Sequence, residues 1–461
     1  MPGILSNTLV IFFLSLFINH VASLGATDTI TWGGDNSRTG YQEYIHLFYF
    51  SIEPGSGANL YGSNHNMDPT IVGSAQFGQI FKSKLPGLYN GAVEQIFSMP
   101  LVYTLSDGIQ YIFFGTTHNN VYKLDAKTGT IIAVRNLHIP FVVTDLAGCV
   151  DINPLVGSTA TGVIDPASET YYLTSKTYAN QNGGTVAQGL LNGRYYVHAI
   201  NLNDLSERPN FPLALEGLAA RNNPVRTFGG GIHHQRPALL HAGQYIYAGF
   251  ASHCVHDNFT GWIMGWDKTT GAIVERFATE GLGVDAQTKG GGIWMSGGGL
   301  ASDNAGSMFF STGNGYASQL STIPVNGRNP PTSLEEAAVH MSIAADGSLS
   351  IADFFMPWEK TQLDGADRDL GTTPLELLPS EFSCGEYKRI GVVTGKSGKT
   401  YFLNLDDLGG YQNGPNKLDD VIFTYQNENS VYAGAGVYPG EGGYIYINGW
   451  SYIPNLSNTT S

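Results

Sequence analysis

Four times along this chain a run of β-forming residues ends in a tight, aspartate-containing turn and resumes as a second run: VYKLDAKTGTIIAV at 121–134, VHAINLNDLSE at 197–207, IMGWDKTTGAIVERF at 263–277 and TYFLNLDDLGGY at 400–411. In a D-x-x-T-G turn the carboxylate takes free backbone N–H groups and the glycine supplies the positive φ, so the chain reverses within a few residues and two strands must lie side by side. Further strand-like runs precede these units, among them YIFFGTTHN, TYYLTSKTY, QYIYAGF, SMFFSTGNG and RIGVVTGKSG. The repeat is roughly 45–70 residues of antiparallel strands, and helical periodicity is nearly absent. Four short strands cannot bury both faces of their sheet alone and must stack radially on neighbours. The expected fold class is therefore all-β, a β-propeller of four-stranded antiparallel blades. Five blades are expected at 95–135, 142–208, 232–278, 293–354 and 372–426, with the start of a sixth at 431–450. TIVGSAQFGQIFKSKL at 70–85 reads as an outer strand that closes the ring with the last blade.

Composition narrows the function. Acidic residues number 38 and basic ones 23, for a net charge of −15, which argues against counterion-releasing contacts with nucleic acid or anionic lipid. The 59 glycines and 12% aromatic content suit turns and half-buried strands, and exclude disorder as the main state.

The first 23 residues carry an apolar run from Leu9 to Ile18 followed by the small-residue site Val21, Ala22, Ser23. This reads as a signal peptide over 1–23, leaving one propeller domain over 24–461 and a secreted protein. No later run approaches the ~18 apolar residues needed to span a bilayer. Cys149, Cys254 and Cys384 leave one cysteine unpaired after at most one disulfide, with the pairing open. The sequons at Asn258, Asn455 and Asn458 are candidate glycosylation sites.

These blades resemble the quinoprotein alcohol dehydrogenase-like propellers, whose PQQ repeat has an A-x-D-x-x-T-G-x-x-x-W tail. HHQRPALLHAGQYIYAGFASHC, GWIMGWDKTTGAIV, GGGIWMSGGGLASDNAGSMFFSTGNG and RDLGTTPLELLPS are most similar to secreted fungal and bacterial PQQ-repeat proteins of undefined activity. The resemblance covers roughly residues 30–450. It implies an eight-bladed ring, beside which this chain reads as C-terminally incomplete, and makes the apolar EYIHLFYFSIEPG at 43–55 look like a splicing artefact.

The resemblance also implies pyrroloquinoline quinone (PQQ) in the central funnel, lying on an indole, with Ca²⁺ or a lanthanide on its reactive carbonyl and an aspartate taking the alcohol proton. Matched position by position, Trp294 in KGGGIWMSGGG is the floor, and Asn314 in FFSTGNGY offers a hard amide oxygen to the metal. LDGADRDLG supplies Asp364, Asp367 and Asp369, with Ala366 where the family has tryptophan; Asp367 matches the base and Asp369 the extra carboxylate of lanthanide users. Lys396 in VTGKSGKTYF matches the basic residue that touches the quinone oxygens. Two features depart from the family. Leu190, with only Gln188 near, stands where a metal-binding glutamate belongs, and Cys149 stands alone in place of an adjacent cysteine pair.

Each residue also has a purely structural reading: Trp294 as blade packing, Asn314 as a turn residue, the aspartates as a solvated loop and Lys396 as a surface hairpin lysine. A second constellation, His233, His234, His253, Cys254, His256 and Asp257, has donors for a transition metal, but strand alternation favours structural roles or a disulfide through Cys254. Nucleophile-elbow, P-loop, H-E-x-x-H and C-x-x-C motifs are absent, so hydrolase chemistry has no anchor. Two function classes follow. One is a secreted PQQ- and metal-dependent dehydrogenase of an alcohol or sugar; the other is a non-catalytic propeller that binds a glycan, cell-wall polymer or protein partner through its loops.

Overall fold

A computed structural model of the chain describes residues 28–40, 73–75, 77–255, 257–315, 326–440 and 443–447. The signal-peptide segment, the 43–55 stretch, Asn455 and Asn458 lie outside these residues.

Five antiparallel meanders follow one another. Blade 1 is Leu101–Thr104, Gln110–Gly115, Asn120–Asp125 and Ile131–Asn136. Blade 2 is Val163–Asp165, Thr170–Tyr178, Gly193–Asn201 and Leu213–Ala214, and blade 3 is Leu240–Ala242, Tyr245–Ser252, Trp262–Asp267 and Ile273–Ala278, extended at one end by His233–His234. Blade 4 is Ala301–Ser302, Ser307–Ser311, Ala338–Ile343 and Leu349–Met356, joined at its edge by Gly410–Tyr411 in parallel. Blade 5 is Glu376–Leu377, Ile390–Thr394, Lys399–Asn404 and Phe423–Gln426, and the hairpin Gly436–Tyr438 with Tyr444–Tyr446 follows it.

The turns behave as their residues dictate. Asp125 Oδ1 accepts the N–H groups of Lys127 (3.0 Å) and Thr128 (2.7 Å), and Asp267 Oδ1 does the same for Thr269 (2.9 Å) and Thr270 (2.7 Å). Gly129 completes the first turn at φ +68°, a conformation open to glycine without strain.

Period-two alternation welds the blades. Ile246, Ala248 and Phe250 pack onto Tyr172, Val197 and Ala199 of blade 2, while Tyr247 between them packs onto Met308 and Phe310 of blade 4. Phe309 turns the other way, toward Leu403 of blade 5. Both faces of the inner blades are thus buried, as radial stacking requires.

Two boundaries differ from the sequence reading. Residues 142–156 are not part of blade 2; Phe141–Val142 pairs with Leu155–Val156 as a separate two-stranded element in the link between blades, and its apolar residues form a core of their own with Tyr178. Within 70–85, the described residues form no strand: Ser83 Oγ donates to Gly129 O (2.5 Å) and Leu85 packs on Phe114 and Tyr122, so this segment is held to blade 1 by side chains.

Antiparallel alternation sends two sets of loops to opposite ends of the ring. The aspartate turns close one end. The loops between second and third strands, and the links between blades, gather at the other. At the turn end, residues 28–40 run across the first strands: Thr29 pairs with Val102, Ile30 O accepts Ile164 N–H (2.9 Å), Asn36 O accepts Ser302 N–H (2.8 Å), Ser37 O accepts Leu377 N–H (2.9 Å) and Thr39 O accepts Val437 N–H (3.0 Å). Arg38 stands fully buried in this crossing, donating to Leu239 O, Leu300 O, Trp32 O and Thr31 Oγ1.

Candidate functional site

The opposite end holds a cavity of about 460 Å³, within the size range of small-molecule sites. Trp294, Asn314, Asp367, Asp369 and Lys396 all line it. They come from four places in the chain: Trp294 from the link between blades 3 and 4, Asn314 and Lys396 from the second-to-third strand loops of blades 4 and 5 respectively, and the aspartates from the link between blades 4 and 5.

Asn314 is the hinge of the group. Its backbone N–H donates to Asp369 Oδ1 (2.7 Å) and its Nδ2 to Asp367 Oδ1 (2.7 Å). Its Oδ1 is buried and takes no hydrogen bond. Lys396 Nζ bridges the aspartates, 2.5 Å from Asp369 Oδ2 and 3.1 Å from Asp367 Oδ1. Burial works against its charge, but Asp369 and Asp367 outweigh that and raise its pKa. The lysine side chain is 21% exposed, so it is not the surface hairpin residue its turn suggests. Asp367 is 74% exposed and turns toward solvent.

Asp364 does not join them. It sits on the short helix Lys360–Gly365, buried, with Oδ2 on Lys360 Nζ (2.8 Å) and Oδ1 accepting Gly315 N–H (2.7 Å). The D-x-x-D-x-D spacing therefore splits: helix geometry pairs Asp364 with the lysine four residues earlier, and the break after the helix swings the other two to the cavity. Non-glycine residues at positive φ mark the cavity loops, with Met295 at +47°, Ser296 at +45° and Asp367 at +52°. Such conformations cost about 1–3 kcal/mol each and concentrate at functional sites.

Trp294 rests against His234, with ring centroids 5.3 Å apart. Behind it lies a packed polar layer. His234 contacts His253 (4.3 Å between centroids) and Thr159 Oγ1 (3.2 Å from Nε2), and His253 Nε2 accepts from Lys176 Nζ (3.0 Å). Lys176 also donates to Gly231 O and His233 O, and burial drives its pKa well below the usual lysine value. His233 accepts the Trp262 indole N–H (3.0 Å) and, chiefly through burial, its pKa falls to about 3. The histidine constellation is thus a structural support under the indole rather than a metal centre. His256 lies outside the described residues.

Cys254 is bonded to Cys149, a pairing the sequence left open. Cys254 and the Asp151 carboxylate form another wall of the cavity. Asp151 Oδ2 lies 3.5 Å from Cys254 Sγ and 3.7 Å from Cys149 Sγ; with both sulfurs in the disulfide, neither serves as a thiolate ligand. Sequence reasoning missed Asp151, although it sits two residues after Cys149 in AGCVDIN. Leu190 packs into the apolar core beside Phe141, and Gln188 is turned to Asn180 O (3.2 Å), so neither supplies the missing carboxylate. At Asn258, the amide nitrogen that would carry a glycan donates to Ala286 O (2.7 Å).

A Ser–His–Glu relay does exist elsewhere: Ser175 Oγ lies 2.9 Å from His198 Nε2, and His198 Nδ1 lies 3.0 Å from Glu207 Oε2. Ser175 is 0% and His198 1% exposed between blades 1 and 2, so no acyl group reaches the hydroxyl and the relay is packing.

Solved structures resemble this chain in fold. The quinohemoprotein alcohol dehydrogenase from Comamonas testosteroni is similar over 92% of this chain and 52% of its own, at 13% identity and a TM-score of 0.52. The fold is a β-propeller similar to the fold of that enzyme. The quinohemoprotein alcohol dehydrogenase ADHIIG from Pseudomonas putida HK5 is matched at 13% identity over 87% of this chain and 48% of its own, with a TM-score of 0.48. A europium-containing methanol dehydrogenase is matched at 14% identity over 72% of this chain and 51% of its own, with a TM-score of 0.42. The chain spans about half the length of each. No family model and no curated protein matches the sequence. No helix among the described residues of this propeller is long and apolar enough to cross a membrane.

The residues present fit a cation and a flat quinone. Asn314 Oδ1 is a buried hard donor without a partner, two carboxylates adjoin it, and an indole lines the same cavity. The lining carries three carboxylates (Asp151, Asp367, Asp369) against one ammonium, Lys396. A tricarboxylate such as PQQ would be repelled by this charge unless a di- or trivalent cation accompanied it.

Proposed function

We propose that this propeller is a quinone- and metal-dependent oxidoreductase that oxidises an alcohol or sugar hydroxyl. The observation that carries the reading is the unpartnered Asn314 Oδ1 beside Asp367, Asp369 and Lys396 in a cavity that Trp294 also lines. When bound, the quinone accepts the hydride equivalent and the cation polarises its carbonyl. Trp294 offers the apolar face on which a flat ring stacks. Asn314 Oδ1 and Asp369 would hold the cation, and Lys396, held by both aspartates, offers an N–H to an oxygen of the ring. Asp367 Oδ2 is left without a protein donor and faces solvent, where it accepts the proton of the substrate hydroxyl as the C–H hydride leaves. The Cys149–Cys254 disulfide supports an oxidising compartment, and with it the reading of the first 23 residues as a secretion signal.

Leu190 at the position of the family's glutamate, and the absence of an adjacent cysteine pair, favour a second reading, a secreted binding propeller for a glycan, cell-wall polymer or protein. Calorimetric titration of residues 24–461 with PQQ decides between them. Saturable 1:1 binding is expected with Ca²⁺ or La³⁺ present, with none in EDTA and none in Trp294→Ala. A folded, monodisperse wild-type sample that gives no heat with either cation overturns the oxidoreductase reading.

A further inference from the structure

Two walls of the cavity differ in how their charges are met. On the wall built by blades 4 and 5, Lys396 Nζ bridges Asp367 and Asp369. On the wall built by the link between blades 1 and 2 and the second-to-third strand loop of blade 3, Asp151 stands exposed and by itself. Its close polar contacts among the described residues are Cys254 Sγ (3.5 Å) and Cys149 Sγ (3.7 Å), and both sulfurs belong to the disulfide, so neither has a hydrogen to donate. Lys289 gives its Nζ to Val255 O (2.8 Å) and lines no part of the cavity.

The surroundings of this carboxylate are apolar and aromatic. Cys149 before it and Ile152 after it are buried in an apolar core that Trp294 and Cys254 adjoin. Trp294, Phe259 and Tyr432 bring three aromatic side chains to the same cavity. Tyr432 is partly exposed, and the backbone beside it is tied down by Thr372 Oγ1, which donates to Val431 O (2.9 Å). A ligand that covers Asp151 strips water from it, and with no protein donor at hand the ligand itself must supply the compensating N–H or O–H groups. An organic ammonium does so best, since it pairs with the charge and is also attracted to the negative faces of aromatic rings. A neutral hydroxyl gains less, and an anion is repelled.

We infer that Asp151, with the aromatic side chains of the cavity, forms a subsite for a protonated amine, so that the organic ligand is an amine-bearing sugar or amino alcohol rather than a neutral or acidic one. The two walls also orient it. Its ammonium goes to Asp151 and away from Lys396, which leaves a hydroxyl of the same molecule toward Asp367. Binding of the amine does not depend on a quinone. That the bound molecule is oxidised at this hydroxyl, with hydride and proton leaving as described above, rests on the oxidoreductase reading.

The test is calorimetry on the full chain without quinone, at about pH 6 so that the amine is charged. The probes are D-glucosamine, its neutral N-acetyl form and D-glucuronate. D-glucosamine is expected to bind at least about fivefold more tightly than N-acetyl-D-glucosamine, the scale of one charge pair open to water, and D-glucuronate more weakly than either. Raising NaCl to about 0.5 M should shrink the preference. Asp151→Asn keeps the shape and removes the charge; it is expected to bring the two amine derivatives within about twofold of each other with Tm unchanged, since the side chain bonds to no protein donor. The inference is overturned if no probe binds, if wild type does not prefer the free amine, or if Asp151→Asn keeps the preference. PQQ with Ca²⁺, titrated into wild type and Asp151→Asn, separates this inference from the oxidoreductase reading: the variant is expected to bind PQQ at least as tightly, having lost a negative charge. An amine preference in a wild type that binds no PQQ leaves the subsite standing and overturns the oxidoreductase reading, and PQQ binding without an amine preference does the reverse.

Discussion

Arg38 and Asn314 sit at opposite ends of the same ring, both buried and both polar, yet their surroundings differ in kind. Four acceptors from three segments close on the Arg38 guanidinium, and burial lowers its pKa only to about 9, so it stays charged and fully engaged at neutral pH. Asn314 spends both of its donors on aspartates and leaves its acceptor empty. A buried polar group whose bonds are complete holds structure together. One left incomplete, in a cavity among charges, is where a ligand supplies the missing bond.

The largest effect that can break this comparison belongs to Arg38→Met. Removing a fully hydrogen-bonded buried cation leaves its acceptors without donors, and a loss of roughly 4 kcal/mol is expected in denaturant unfolding. A loss under about 1 kcal/mol would mean that the crossing of residues 28–40 is not a structural lock.

Next comes acid. His233 and His234 are neutral in the fold, their pKa values lowered chiefly by burial, to about 3 for His233. Below about 6.5 the unfolded chain binds protons that the folded one refuses. Their contribution is therefore full above that pH and is lost as pH falls toward 3, which Tm measured against pH should follow. The carboxyls of Glu336 and Glu376 act in the opposite sense: burial raises their pKa, so their contribution is greatest below the ordinary carboxyl range and declines as pH rises. A Tm that does not fall between pH 6.5 and 4 would show that the layer under Trp294 is open to water.

The smallest expected change in stability is the most informative. Asn314→Ala should shift unfolding by less than about 1 kcal/mol, since its side-chain acceptor is unused, while lowering cation affinity in the cavity at least about tenfold. A large destabilisation with unchanged cation affinity would return Asn314 to the turn residue its G-N-G context suggests.

Much of the ring was legible because its determinants are local. An aspartate that caps its own turn two and three residues on, and a glycine at positive φ, act within five residues, and period-two alternation tells each strand it has two faces to bury. The cavity was legible in part. Trp294, Asn314, Asp367, Asp369 and Lys396 stand out through the family resemblance of the motifs around them, and all five line one space. Asp364 was misgrouped because spacing along a chain does not say where a helix ends, and the helix gave it a lysine. The segment at 142–156 read as blade because short apolar runs look alike whether they join a meander or cap a loop.

The sequence by itself determined the β-meanders, their number and order among the described residues, and the aspartate turns that close one end, since each rests on neighbours a few positions away. Only the tertiary structure decided that Cys149 pairs with Cys254 and that Arg38 reaches Leu239 and Leu300 across 201 and 262 residues. The physical reason is the same in each case. Such contacts depend on how the blades stack, and no residue involved carries a local signal of the partner that stacking will bring to it.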